Sequence, residues 1–325
     1  MKELPDQPFV PPLPQEEINY PDKKQVIFDS KQHLKNVLDQ QRLRKEADPS
    51  QQKCEVDITT DLPFVLVVGS SDWHLGNENT DHKLFFKHYE LISETPGVYV
   101  NIIGDERDNF VTPKFRSGLF EGVMNPQQQA DMVENLLRGW DEQGKILTRV
   151  GGNHDNWTWE GVGVNLENYW FSDMKSPLMK LGGFQHLTIN GIKYLGWLHH
   201  GISLFNSQFN PNHASRRAFE FQGPFDFSMM GHTHGSEVAM GWKWSEEFAK
   251  PIVMCRTGTY KTEDAYAKSR QLPRGQAPGA CILFSTTEKS MMGFDTIEKG
   301  IQALKALNIY HQMKAQGLLG ETLDK

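Results

Sequence analysis

The chain has 325 residues and a mass of 37.2 kDa, enough for one large domain with appendages or two smaller ones. Apolar residues make up 38% and charged residues 23%, a balance that excludes disorder of the whole chain. A net charge of −7 and a pI of about 6.0 exclude a global basic field, so any polyanion must be held locally.

Residues 1–61 read as a Pro-rich arm with a short helix. Pro5, Pro8, Pro11, Pro12, Pro14 and Pro21 lie among polar residues and favour an extended conformation. From Ser30 to Glu46, Leu34, Val37 and Leu38 share one face, Ser30 is an acceptable N-cap, and Asp48-Pro49-Ser50 breaks the helix. The arm offers a route to a homo-oligomer. The start, MKELPDQPFV, has no apolar run of the signal type, and no stretch reaches the roughly 18–20 apolar residues of a membrane helix. These features predict a cytoplasmic protein without a membrane partner. Cys54, Cys255 and Cys281 are far apart and form neither a disulfide framework nor a thiolate zinc site.

Beyond residue 61, short apolar runs end in polar clusters. Phe64 to Val68 leads into Gly69-Ser70-Ser71-Asp72-Trp73-His74, Val98 to Ile103 into Gly104-Asp105-Glu106-Arg107-Asp108, and Ile146 to Val150 into Gly151-Gly152-Asn153-His154-Asp155. Three buried strands thus deliver polar groups at their C-terminal ends, where open α/β sheets collect ligands. Met132, Val133, Leu136, Leu137 and Trp140 recur at helical spacing and predict a crossover helix. His186 to Ile189 and Ile192 to Leu198 flank Asn190-Gly191, a strong hairpin signal. Further strands are expected at Phe227 to Met230, Pro251 to Cys255 and Ala280 to Phe284. An amphipathic helix over Thr296 to Met313 closes the chain. The expected organisation is the arm (1–61), a catalytic domain (62–295), and a terminal helix and tail (296–325).

Six of the 12 histidines, His74, His154, His199, His200, His232 and His234, fall inside the polar clusters. Asp72 and His74, two apart at a strand end, share one face and can share one metal ion. His232 and His234 repeat that spacing. Asp105 and Asn153 each follow a glycine, which lets the backbone turn sharply. With only oxygen and nitrogen donors, the set suits two divalent ions, Mn²⁺ first and Fe or Zn²⁺ as alternatives.

The order D-x-H, G-D-x-x-D, G-N-H-D, H, G-H-x-H over residues 72–234 resembles the calcineurin-like metallophosphoesterase superfamily. The resemblance implies a four-layer α/β/β/α sandwich. It also implies that Asp72, His74 and His234 hold one metal, that Asn153, His200 and His232 hold the other, and that Asp105 bridges them. His199 competes with His200, but His200 is the histidine that precedes a glycine. The implied chemistry is attack on phosphorus by hydroxide generated at the metals, with His154 as general acid and Asp108 orienting it and raising its pKa.

Asn109-Phe110 after Asp108, and Asp155 after His154, depart from the serine/threonine protein phosphatases. Ser71-Asp72-Trp73-His74-Leu75-Gly76 resembles the double-strand-break DNA nucleases of the superfamily, and DNA or a nucleotide is therefore the expected phosphate-ester partner. Trp157, Trp159, Tyr169, Trp170 and Phe171 offer either a stacking wall for bases or aromatics that cap the core beside the site. Arg107, Arg116 and Arg256 are candidate phosphate clamps. The competing expectations are a phosphomonoesterase for a small metabolite and a non-catalytic scaffold that keeps the fold.

Overall fold

The computed structural model describes residues 29–47, 53–111, 120–165, 167, 169, 172–201, 210, 212–244, 249–263, 265–269, 271 and 274–318. The Pro-rich arm, Asp48-Pro49-Ser50, Arg116, Trp170 and Phe171 lie outside these residues. The chain divides into two units, Met1–Asp48 and Pro49–Lys325. The first contributes helix α1 (Ser30–Ala47). Its cap is Asp29 and not Ser30, because the Asp29 carboxylate accepts from the Lys31 and Gln32 backbone N–H groups at 3.0 and 3.1 Å. Leu34, Val37 and Leu38 are exposed.

The second unit is an α/β structure built on two mixed six-stranded sheets. In sheet I, β2 (Phe64–Ser70), β3 (Val98–Ile102), β4 (Ile146–Val150) and β5 (Leu178–Met179) run parallel. The sheet continues antiparallel from β2 through β11 (Cys281–Ser285) to β12 (Met291–Phe294). Sheet II has the order β1 (Lys53–Ile58), β6 (Gly183–Ile189), β7 (Ile192–His199), β8 (Phe227–Met230), β10 (Ala249–Thr257), β9 (Ser236–Trp244).

Alternation along β2 shows how an unbroken apolar run serves two interfaces. Val65 and Val67 join the core between the sheets, with Leu187, Ile189, Met229 and Val253 of sheet II. Leu66 and Val68 face outward onto helices. There they meet Phe85 and Ile92 of α2 (His82–Glu94), Val133, Leu137 and Trp140 of α3 (Pro126–Glu142), and Ile301 and Leu304 of a long C-terminal helix (Ile297–Ala315). On the far face of sheet II, Ala218 of a helix over His213–Gln222 packs with Trp197, Ile252 and Met254. The layer order is therefore α/β/β/α, as the resemblance implied.

The crossover helix and the hairpin form where the sequence places them. Asn125 and Gln128 make a reciprocal capping box at the start of α3, and Asn190 and Gly191 both have positive φ, as a two-residue hairpin turn requires. Residues 53–58, expected in the arm, instead form β1 and pair in parallel with β6. Cys54 and Ile58 are buried there, while Lys53, Glu55 and Asp57 face outward. The C-terminal helix packs its apolar face on sheet I. Among the described residues, no helix is long and apolar enough to cross a membrane.

Candidate metal centre

Five strands end at one place. β2 leads into Asp72 and His74, β3 into Asp105, β4 into Asn153, β7 into His200, and β8 into His232 and His234. The strand-end segments are tied to one another through their backbones. Asp72 N donates to Gly104 O at 2.9 Å, His74 N to Asp105 O at 3.1 Å, and Tyr260 N to Asp72 O at 3.2 Å. Asp72, His74, Asp105, His232 and His234 all have positive φ. A non-glycine residue held there costs on the order of 1–3 kcal/mol, so the fold strains five of the seven candidate ligands to aim them inward.

The candidate ligands collect into two groups, and a third group, overlapping the first at His74, joins it to Asp108 and His154. In the first, His74 Nε2 and His234 Nε2 are 3.1 Å apart, and Asp72 Oδ1 is 3.9 Å from the former and 3.4 Å from the latter. In the second, Asp105 Oδ2 lies 3.0 Å from His200 Nε2, with His232 alongside. The Asn153 amide is 3.1 Å from His200 Nε2. With its nitrogen turned inward, that amide also meets His232 Nδ1 at 2.8 Å and Asp105 Oδ2 at 3.3 Å. Asp72, His74, Asp105 and His200 are buried, while Asn153, His232 and His234 are half-buried and form the open side. His199 does not join either group; its ring stacks on Trp197.

Ring tautomers follow from the remaining contacts. His200 Nδ1 donates to Ile103 O at 2.6 Å, which leaves Nε2 facing Asp105. His74 Nδ1 faces Asp108 Oδ1 at 3.3 Å and keeps Nε2 toward Asp72 and His234. A carboxylate or carbonyl behind each imidazole is the usual support of a metal-binding histidine.

The charges point the same way. Burial opposes ionisation of Asp72, but the His234 hydrogen bond and the His200 charge outweigh it and hold the carboxyl well below the usual range. Burial likewise works against a charged His200, yet Asp105 carries it up to about 9. A proton on His200 and the Asn153 amide hydrogens therefore supply, between converging acceptors, positive charge of the kind a cation would bring. The donor set of imidazoles, single carboxylates and an amide fits two divalent ions.

His154 and Asp108 are placed differently from the implied pair. His154 Nδ1 donates to the backbone carbonyl of Asp108 at 2.6 Å. The Asp108 carboxylate turns instead to His74, to Asn77 Nδ2 at 2.7 Å and to Lys261 Nζ at 2.8 Å. Asp108 therefore orients His154 through its main chain. Burial pushes the ring down to about 4, outweighing the upward pull of Asp105 and, as expected in direction, of Asp108. The His154 ring packs against Trp157 at a tilt of 33° with centroids 3.9 Å apart, and its backbone N–H donates to Asp105 Oδ1 at 2.8 Å.

Two candidate clamps are already engaged. Buried Arg107 pairs with Asp155 at 3.2 Å, and the Asp155 carboxylate also accepts from Asp105 N. Buried Arg256 donates to Gly231 O at 2.6 Å and to the Thr233 hydroxyl, bracing the loop that carries His232 and His234. The sequence reading missed Lys261, Ser71 (whose hydroxyl donates to Asp72) and Thr259 (which donates to Asp72 O at 2.8 Å). The available signal was a sixth strand-then-glycine junction, β10 into Gly258-Thr259-Tyr260-Lys261. Trp159 and Tyr169 are exposed, so Trp157 is the described member of the expected wall that reaches the site.

No protein-family model and no curated protein sequence matches the chain. Among solved structures, it is similar to a conserved uncharacterised protein from Streptococcus pneumoniae described as a predicted phosphoesterase, at 14% identity over 71% of this chain and 97% of that one, with a TM-score of 0.33. It is also similar to Vacuolar Protein Sorting 29 from Cryptosporidium parvum, at 13% identity over 73% and 100% of the two chains, with a TM-score of 0.36. A third likeness is to Vps29 from Chaetomium thermophilum, at 10% identity over 70% and 96%, with a TM-score of 0.34. At such levels the chemistry must be judged from this chain's own residues.

Proposed function

We propose that the protein is a two-metal phosphoesterase of the calcineurin-like type that hydrolyses a phosphodiester in a nucleic acid or nucleotide. The observation that carries this reading is the pair of donor groups, Asp72–His74–His234 and Asp105–His200–His232 with Asn153, side by side at the strand ends and next to His154. Asp105 is the proposed bridging ligand. Two divalent ions held there would leave about two positive charges after Asp72 and Asp105 are counted, and would supply polarisation of a phosphate and acidification of water. Asn153, His232 and His234, on the open side, position the ester. His154, fixed through Nδ1, presents Nε2; a bound phosphate anion favours its protonated form, which donates to the leaving oxygen.

Two features support a diester. Arg107 and Lys261 are paired with Asp155 and Asp108, and Arg256 is buried with its Nη2 on the Gly231–Thr233 loop, so the second negative charge of a monoester finds no exposed side-chain cation among the three. Trp157 and Phe110 flank His154 with flat apolar surface, suited to a base next to the phosphate.

The test is a substrate panel with Mn²⁺-loaded protein. Hydrolysis of bis-aryl phosphate, dinucleotides or DNA above monoesters is expected, with about two metal ions per chain. Turnover of monoesters alone replaces this reading with a metabolite phosphatase. Failure to bind metal under metal-replete conditions replaces it with a scaffold.

A further inference from the structure

Asp155 joins two turns that carry candidate ligands. It is the third residue of the helix Asn153–Val162, and its Oδ2 reaches back to accept from Gly152 N, directly before Asn153, at 3.2 Å. The same oxygen accepts from Asp105 N at 3.2 Å. The first contact is ordinary capping of a helix start by an acidic side chain. The second is not, because Asp105 lies outside the helix, on the turn that follows β3.

The joins between neighbouring segments show what this second bond adds. The segment after β2 is held to the one after β3 by backbone bonds from Asp72 N to Gly104 O, His74 N to Asp105 O and Leu75 N to Glu106 O, at 2.9, 3.1 and 3.1 Å. The segments after β3 and β4 meet through side chains. Asn109 Nδ2 donates to His154 O at 2.6 Å, and His154 N donates to Asp105 Oδ1 at 2.8 Å. That Asp105 carboxylate is itself the proposed bridge. Asp155 Oδ2, in contrast, holds main-chain N–H groups of both turns with an atom outside the ligand set.

Its other oxygen is fixed separately. Arg107 Nε and Nη2 donate to Asp155 Oδ1 at 3.3 and 3.2 Å, and both side chains are buried. Arg107 also aligns with Leu75 in a short parallel bridge, which anchors the carboxylate to the segment that carries His74. Bonds accepted by an ionised carboxylate are roughly twice as strong as neutral ones. We infer that Asp155 is a positioning residue of the metal centre, whose Oδ2 pins the Asn153 turn to the Asp105 turn and so assembles the Asp105–His200–His232 group with Asn153; the inference rests on the two-metal reading above. The Asp72–His74–His234 group has its own backbone bonds and depends on Asp155 less.

Two variants separate the oxygen from the ion pair. Asp155→Ala removes both. Arg107→Gln removes the guanidinium but keeps both Asp155 oxygens, with an amide N–H close to where Arg107 Nε stands. Each leaves a buried charge without its partner, so both should lower the melting temperature. The first arm follows hydrogen exchange by NMR in metal-free, full-length protein. In Asp155→Ala the Asp105 and Gly152 amides should exchange at least about tenfold faster, while those of Asp72 and His74 change little. In Arg107→Gln all four should stay close to the unaltered protein.

The second arm titrates Mn²⁺. The unaltered protein and Arg107→Gln should take up about two ions with the paramagnetic resonance signal of a coupled pair. Asp155→Ala should bind one of the two about 10–100-fold more weakly and show the signal of an isolated ion. Equal losses in the two variants, or a coupled pair kept at unchanged affinity in Asp155→Ala, overturn the positioning role. If the unaltered protein takes up no metal, the two-metal reading falls instead, and faster exchange confined to Asp155→Ala still keeps Asp155 as the link between the turns.

Discussion

Asp108 places a carboxylate oxygen 3.3 Å from Nδ1 of His74, and Lys261 meets the same oxygen at 2.8 Å. The three side chains are buried, so the ammonium compensates the charge of a carboxylate whose other oxygen is held by the neutral Asn77 amide. Asp108→Asn should weaken metal binding at the Asp72–His74–His234 group by about 10–100-fold. Lys261→Met leaves a buried charge without its partner and should cost about 3–5 kcal/mol of stability. The double variant should be more stable than Lys261→Met alone. Denaturant melts and chelator competition measure both effects, and additive losses would show that the two residues do not act on each other.

The two donor groups make different demands on single substitutions. Asp105 sits in the second group, and its Oδ1 also accepts from His154 N, while the proposed bridge gives it a role in the first. Asp105→Asn should reduce metal content at both sites, and His74→Ala mainly at one. Metal analysis of the purified variants checks this. Two ions retained in Asp105→Asn with full activity would remove the bridge.

Much of this arrangement was legible because the chemistry lies at strand ends. Apolar runs such as Phe64 to Val68 have a two-sided core to fill, and the residues that follow are free to be polar. β1 was hidden by its neighbours. The alternation of Cys54, Val56 and Ile58 with Lys53, Glu55 and Asp57 is a half-buried strand pattern, but it directly follows a Pro-rich, polar segment whose composition dominated the reading. The atoms that join Asp108 to His154 were not legible for another reason. A motif gives the proximity of two residues but not which atoms meet; the pull of Lys261 and Asn77 turned the carboxylate to His74 and left a carbonyl for His154. Both partners come from segments outside the motif.

Proton release should accompany metal binding. Without metal, His200 titrates at about 9, because Asp105 outweighs the effect of burial, so its Nε2 carries a proton at neutral pH that a cation must displace. Affinity at the Asp105–His200–His232 group should rise about tenfold per pH unit below about 9 and level off above it. Calorimetry in buffers of different ionisation enthalpy reads the released proton. In the metal-free protein the same raised pKa stabilises the fold fully below the unfolded value of about 6.5, and the contribution is lost as pH rises through about 9. No proton released at pH 7 would show that His200 is already neutral without metal or is not a ligand.

Gly152 tests how closely the strand ends are packed. A Cβ at this position would fall on the Asp105 carboxylate and backbone nitrogen, and β3 and β4 hold that backbone on both sides. Gly152→Ala should therefore displace Asp105, reduce metal binding and cost about 1–3 kcal/mol from overpacking. Gly144 is the control. It has φ +68 and open space around its Cβ position, so Gly144→Ala should cost about 1–2 kcal/mol of backbone strain and leave metal content unchanged. Equal metal content in the two variants would show that the Asp105 loop yields to a methyl group.

His154 can be tested apart from its backbone. Its N–H to Asp105 Oδ1 survives substitution, so His154→Ala removes the ring and keeps the contact that positions Asp105. If the ring donates the proton to the leaving oxygen, kcat should fall by roughly 10²–10⁴-fold on esters with poor leaving groups, and far less on nitrophenyl esters, whose departure needs no proton. Burial holds the free ring down to about 4, so protonation must come with the bound phosphate anion. The alkaline limb of kcat/KM should then follow the free ring on substrates that need the acid, the limb of kcat should lie at higher pH, and nitrophenyl esters should lack it. An equal loss on both ester types would assign the ring to packing against Trp157 or to metal binding, and the proton would have to come from water.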